Sequence, residues 1–347
     1  MTDWLSQPIQ ALRVERLDQA LAHQNQLTKP PGSMGRMEEL AVLLCALQDT
    51  LTPSLDRVAI RVFAADHGVV AEGVSAFPQE VTVEMIRNFA HGGAAISVLA
   101  QAQQADFAVV NMGTAVPAPT HDKVMQNSLG PGTHNFCEQP AMSREQLEAG
   151  LRAGYDIAEQ LYRQQCQLFI GGEMGIGNTT TAAALACALA GDSPENLVGT
   201  GTGVDAAGLV RKTEVVKRAL AFHQNELTDP LDCLQRLGGF EIVALTGVYL
   251  RCAQLGIPSL VDGFICSVAA LAALQLNQGC QDWLLFSHQS AERGHARVLE
   301  VLKAEPLLNL KMRLGEGSGA AVALPLLKLA CELHNKMATF ESAGVSK

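Results

Sequence analysis

The apolar positions of this chain fall into two patterns. Short, nearly continuous runs such as "RVAIRVFAAD" and "CQLFIGG" lack regular polar alternation, whereas longer stretches repeat apolar residues at helical spacing. A strand covered on both faces needs no polar alternate, so the first kind predicts strands inside a buried sheet. Strands are placed over 57–64, 106–112 and the run opening at Cys166, with two more in "GIPSLVDGF" and "DWLLFSHQS". Helices are predicted over 8–24, 36–48, 80–101, 143–164, 205–221, 238–254 and 264–277, with another starting near Thr179. Strand, loop and helix in repeated order predict an α/β fold. The expected form is an open, mostly parallel Rossmann-like sheet flanked by helices, with a closed barrel as the nearest alternative. Residues 112–142 show no clear period and predict a long loop that shapes a site or moves. The first and last helical stretches are expected to meet as a small helical domain formed from both chain ends. The resulting division is 1–50, a large α/β domain over 51–305, and 306–347 returning to the small domain.

Composition narrows the function more than the fold. The 347 residues suffice for one large domain or two medium ones. A formal net charge of -10, with lysine and arginine scattered, argues against a nucleic-acid surface. The nine cysteines form no CxxC and have apolar neighbours, which suits reduced thiols in a cytoplasmic protein. No apolar run reaches membrane-spanning length and the start lacks a secretory core, so no membrane partner is expected.

Several polar motifs follow the predicted strands, where ligands of open α/β sheets bind. In "GGEMGIGNTT", 171–180, Gly175 and Gly177 permit close backbone approach, and Asn178 stands where a helix start is capped. The turn suits a phosphate or a tight structural cap. It forms neither GxxxxGK[ST] nor a convincing dinucleotide fingerprint. "VGTGTGVDAAGLVRK", 198–212, is a second glycine-rich segment, with Lys212 either countering a phosphate or solvated on a helix. Asp66 and His67 at a strand end either position a ligand or serve local hydrogen bonding. His288 and His295 are seven apart with no third ligand, so no metal is expected, and Ser290 offers a phosphate-binding hydroxyl. Glu316, in "LGEGSGAA", lies among glycines ahead of an apolar run. It reads as a proton acceptor or as a helix-cap acid. The helix start is expected to keep it ionised rather than raise its pKa. Glu173 has a similar setting and would assist or orient it.

Together, "PPGSMGR" at 30–36, "ADHGV" at 65–69, "GGEMGIGNTT" and "LGEGSGAA" closely resemble the nicotinate-nucleotide–dimethylbenzimidazole phosphoribosyltransferase family. They occur in the family's order over nearly the whole chain. The resemblance implies transfer of phosphoribose from nicotinate mononucleotide to 5,6-dimethylbenzimidazole. The products would be alpha-ribazole 5'-phosphate and nicotinate, for the lower ligand of cobalamin. It implies a homodimer, and no cofactor or metal is expected, since the phosphate itself is not cleaved. By the same resemblance Glu316 is the general base and Glu173 lies by the acceptor. Gly175, Lys212 and Ser290 contact the nucleotide phosphate, Asn178 shares that substrate-binding turn, and Gln79 in "FPQEVT" belongs to the acceptor loop. Asn111-Met112-Gly113 and Thr200 depart from the family's usual DxG turn and arginine. A phosphosugar kinase, a dinucleotide-dependent enzyme and a non-enzymatic phosphometabolite-binding protein are the competing readings.

Overall fold

The structure, a computed structural model, describes residues 3–201 and 203–346. Six strands form one sheet: β1 (Val58–Ala65), β2 (Asp106–Gly113), β3 (Val124–Gln126), β4 (Leu168–Met174), β5 (Ser259–Val261) and β6 (Leu284–Phe286). Their order is β3-β2-β1-β4-β5-β6 and every pairing is parallel. The sheet is open, not a barrel. Every residue of β1 is buried, Arg61 included, which is why its sequence lacks alternation. β3 lies inside the predicted long loop, and three residues are too few to show a period. Asn111 helps hold this edge, donating from Nδ2 to Gln126 Oε1 at 2.8 Å.

Two predicted helices differ from the structure. The stretch 80–101 is two helices, Glu80–His91 and Ala95–Ala102, because Gly92 turns left-handed (φ 85°) and ends the first. The stretch 8–24 is helical only over Val14–Gln24. The Gln10 carbonyl accepts from Trp283 Nε1 and its amide donates to Ala253, so its backbone groups are committed elsewhere.

Successive strand residues face opposite sides of a sheet, and β4 shows what each side carries. A Cβ on Gly171 would meet Leu245 and Tyr249 of the helix Phe240–Leu255. One on Gly172 would collide with the Glu316 backbone on the other side. The helix Ser318–Lys336, which follows Glu316, packs on β4, on Ala95–Ala102 and on Arg36–Leu47. The two chain ends touch there: Gln24 Nε2 lies 2.8 Å from His334 Nδ1, and Leu27 bridges Thr339.

The strand order reverses between β1 and β4. From β1 the chain runs outward to β2 and β3, then returns to the other side for β4, β5 and β6. Neighbouring connections diverge at such a point, leaving a crevice at the carboxyl ends of the strands.

Candidate active site

A cleft of about 660 Å³ lies at those carboxyl ends. β4 delivers Glu173, the end of β5 leads to Gly263, and the loop after β6 carries His288 and Ser290. Phe77, Val81, Met85, Ile176 and Leu314 make much of the wall apolar. Phe77 and Leu314 are exposed, as suits a mouth able to receive a flat aromatic ring.

Three glutamates line this cleft, Glu173, Glu292 and Glu316, and two of them stand in glycine turns. Glu173 is buried and accepts a hydrogen bond from Asn178 Nδ2 on its Oε2. Burial raises its pKa to about 8, helped by the charges of Asp262 and Glu241 and opposed by Asn178. Glu316 sits at a left-handed backbone position, φ 65°, between Gly315 (89°) and Gly317 (84°). A Cβ on Gly315 would collide with Glu173 Oε1, so the glycine lets the two acidic turns touch. Glu316 Oε2 is buried and makes no hydrogen bond among the described residues.

Glu316 is no helix cap, and the helix does not depress its pKa. The amides of Gly317 and Ala320 at the start of Ser318–Lys336 donate instead to Asp262, at 3.1 and 2.9 Å. Burial therefore raises the Glu316 pKa, the Ile96 amide lowers it in part, and the Asp262 charge raises it further. The expected dipole effect loses because another carboxylate occupies the helix start.

Lys212, Arg313 and Glu292 stand beside the second glycine-rich segment. Lys212 is buried, not solvated, and its Nζ donates to Thr179 Oγ1 at 3.0 Å. Burial lowers its pKa to about 8, with Glu292 opposing. A Cβ on Gly201 would press on both Thr179 and Lys212. Arg313 reaches the Gly201 carbonyl from the Glu316 side of the cleft, at 3.1 Å. The Ser290 amide donates to His295 Nδ1 at 2.8 Å, and the Ser290 hydroxyl accepts from the Glu292 amide at 3.2 Å. With Nδ1 accepting, the His295 proton lies on Nε2, 3.0 Å from Ser267 Oγ. Burial pushes its pKa down to about 3.

Asp66 and His67 do not pair with each other. Asp66 accepts from Thr82 Oγ1 (2.6 Å) and the Ala115 amide (2.9 Å). His67 Nε2 lies 2.9 Å from Glu241 Oε1, which leaves Nδ1 to accept from the Thr181 hydroxyl. Gln79 donates to the His67 carbonyl at 3.1 Å, tying the start of Glu80–His91 to β1. Asn178 does not cap its helix: the N-cap is Gly177, and the Asn178 side chain turns to Glu173.

A family profile described as Phosphoribosyltransferase matches residues 9–345. A nicotinate-nucleotide–dimethylbenzimidazole phosphoribosyltransferase of Pseudomonas fluorescens is 57% identical over 343 residues, covering 99% of this chain and 98% of that one. One of Xanthomonas axonopodis pv. citri is 56% identical over 345 residues, covering 99% of each. The chain belongs to the nicotinate-nucleotide–dimethylbenzimidazole phosphoribosyltransferase family. Solved structures share the fold of this phosphoribosyltransferase. CobT from Thermus thermophilus superposes with a TM-score of 0.92 at 46% identity, over 96% of this chain and 99% of that one. A second structure from that organism, which carries the full enzyme name, gives 0.91 at 44%, over 97% and 100%.

The phosphoribosyltransferase cleft brings together Glu173, Gly175, Asn178, Ser290 and Glu316. Lys212 joins it through Thr179, and Gln79 lies one step back behind His67. Sequence reading missed Asp262 and Arg313. Asp262 had a signal, an acid followed by glycine at the end of a predicted strand. Arg313 had none, being one arginine among several.

Proposed function

We propose that the protein transfers the 5-phosphoribosyl group of nicotinate mononucleotide to 5,6-dimethylbenzimidazole, making alpha-ribazole 5'-phosphate and nicotinate for cobalamin lower-ligand assembly. The observation that carries this reading is the buried Glu316 carboxylate oxygen, without a hydrogen-bond partner among the described residues, in a cleft with an apolar wall. The family relationship supports the choice of substrates.

Nicotinate on C1' is a cationic leaving group, so breaking its C–N bond returns the electron pair to the pyridine nitrogen and relieves charge. The unprotonated imidazole nitrogen of the acceptor attacks C1' from the opposite face. The new bond forms as the old one breaks, and the beta linkage becomes alpha. The acceptor's other nitrogen then becomes acidic, and its proton passes to Glu316 Oε2. A base whose pKa is raised toward the working pH accepts that proton more readily. Glu173, with a pKa of about 8, is neutral at pH 7. It adds no second full charge and helps orient the flat ring against Phe77, Val81 and Met85. Two carboxyl groups in one cleft thereby take different roles through different environments. Lys212, Thr179, Ser290 and the Gly175 turn hold the phosphate away from C1'. Much of the acceleration then comes from holding both partners in line.

The reading includes a homodimer acting in the cytoplasm; light scattering that gives the mass of a single chain would remove the first part. The central test incubates the protein with nicotinate mononucleotide and dimethylbenzimidazole and follows nicotinate release and the alpha-linked product together. Donor binding by folded protein with no product would leave a phosphometabolite-binding protein.

A further inference from the structure

Asp262 lies just after β5, buried beneath the Glu316 turn. Its Oδ2 accepts from the Gly317 amide and its Oδ1 from the Ala320 amide. These bonds grip the chain immediately after Glu316. The turn needs such a grip, since three successive residues have positive φ and only two are glycine. Gly172 closes it from below, lying flush against the Glu316 carbonyl.

The groups facing this pair come from every neighbouring element. The loop after β6 brings His288, whose Nε2 lies 3.6 Å from Asp262 Oδ1. β4 brings Glu173. The helices Phe264–Leu276 and Phe240–Leu255 bring Cys266 and Tyr249. The helix Ala95–Ala102 has no titratable side chain and offers Glu316 the Ile96 amide. Burial raises the Asp262 pKa above its ordinary value, while His288 and the amides of Ala320, Gly263 and Gly317 pull it back in part. Asp262 is the acid that accepts from the amides at the start of the Glu316 helix.

We propose that Asp262 is the positioning residue of the reaction: it locks the Glu316 turn by accepting from the Gly317 and Ala320 amides, and its carboxyl group faces the same buried turn. The inference rests on Glu316 being the general base. A neighbouring negative charge disfavours a second one, so Asp262 holds the proton on Glu316 to higher pH. This matches the direction in which Asp262 acts on both glutamates.

The test is the pH profile of kcat for the full-length protein, Asp262→Asn and Asp262→Ser. Both variants remove the charge. Serine keeps an acceptor suited to a helix start, so it carries the test if asparagine fails to fold. The acid limb is expected to move to lower pH in each folded variant. The plateau kcat should fall about tenfold to a hundredfold through misplacement, with little change in KM for nicotinate mononucleotide. Simple loss of a structural cap would lower melting temperature without moving the limb. An unmoved limb in either folded variant overturns the inference, as does failure of both variants to fold. Glu316→Gln separates the two claims. If it turns over normally, the base assignment itself fails; if it is slow while the Asp262 limb stays put, only the role of Asp262 fails.

Discussion

The two glutamate turns, 171–178 and 314–320, look alike in sequence and differ in physics. Each sets one acid among glycines ahead of a helix whose N-cap is a left-handed glycine, Gly177 or Gly317. Glu173 ends a buried strand and meets the side chain of its own helix's first residue, Asn178. Glu316 leaves the strand framework for a left-handed turn, and its helix amides go to Asp262. One acid is fixed in place with its pKa pushed up to about 8 by burial; the other keeps an oxygen without a partner among the described residues. A motif therefore states where a carboxyl group sits, while its neighbours decide whether it holds or accepts a proton.

Glu316→Gln has the largest expected effect. Turnover should fall about 100- to 10,000-fold while donor binding stays close to normal, as rapid-quench and equilibrium binding measurements would show. Equal losses from Glu316→Gln and Glu173→Gln would mean that the two acids do not have distinct roles. Gly315→Ala comes next, because its Cβ would strike Glu173 Oε1 at a left-handed position. A misplacement of that kind costs about a hundredfold in kcat, and full activity would show that the turns are not coupled through this contact. Lys212→Ala, outside both turns, should raise the donor dissociation constant about 10- to 100-fold, the usual worth of a hydrogen bond to a charged group. In the unaltered protein, kcat/KM should fall as pH rises past about 8, where Lys212 loses its charge.

The smallest expected effect is on stability. Glu173 keeps its proton to about pH 8 in the fold, against an ordinary value of 4.5. Between those values the unfolded chain has released a proton that the folded chain retains. Stability therefore falls as pH rises through that window and levels off above it. Glu173→Gln should melt a few degrees higher than the unaltered protein above about pH 8 and equally with it in acid. A melting difference independent of pH would contradict the enclosed, neutral state of this acid.

The sheet was legible because strands covered on both faces leave unbroken apolar runs. β3 was not, being three residues long, and the Gly92 break hid inside a continuous helical period. Glu316, Glu173 and the glycine turns could be named because backbone permissiveness is written into residue type. Lys212 could be named but its burial could not, since helical spacing does not say what packs over a side chain. Asp262 escaped notice because its partners, Gly317 and Ala320, lie more than fifty residues away.

Residue order alone carried the parallel α/β architecture, the family and the two acids at the ends of glycine turns. Short-range rules of period, turn and propensity, with the order of the motifs, suffice for these. Folding sets how far burial raises each acid's pKa, which helix start is already occupied and which lysine is desolvated. Ionisation depends on the water excluded and the charges brought near, and both come from segments that meet only when the chain is folded.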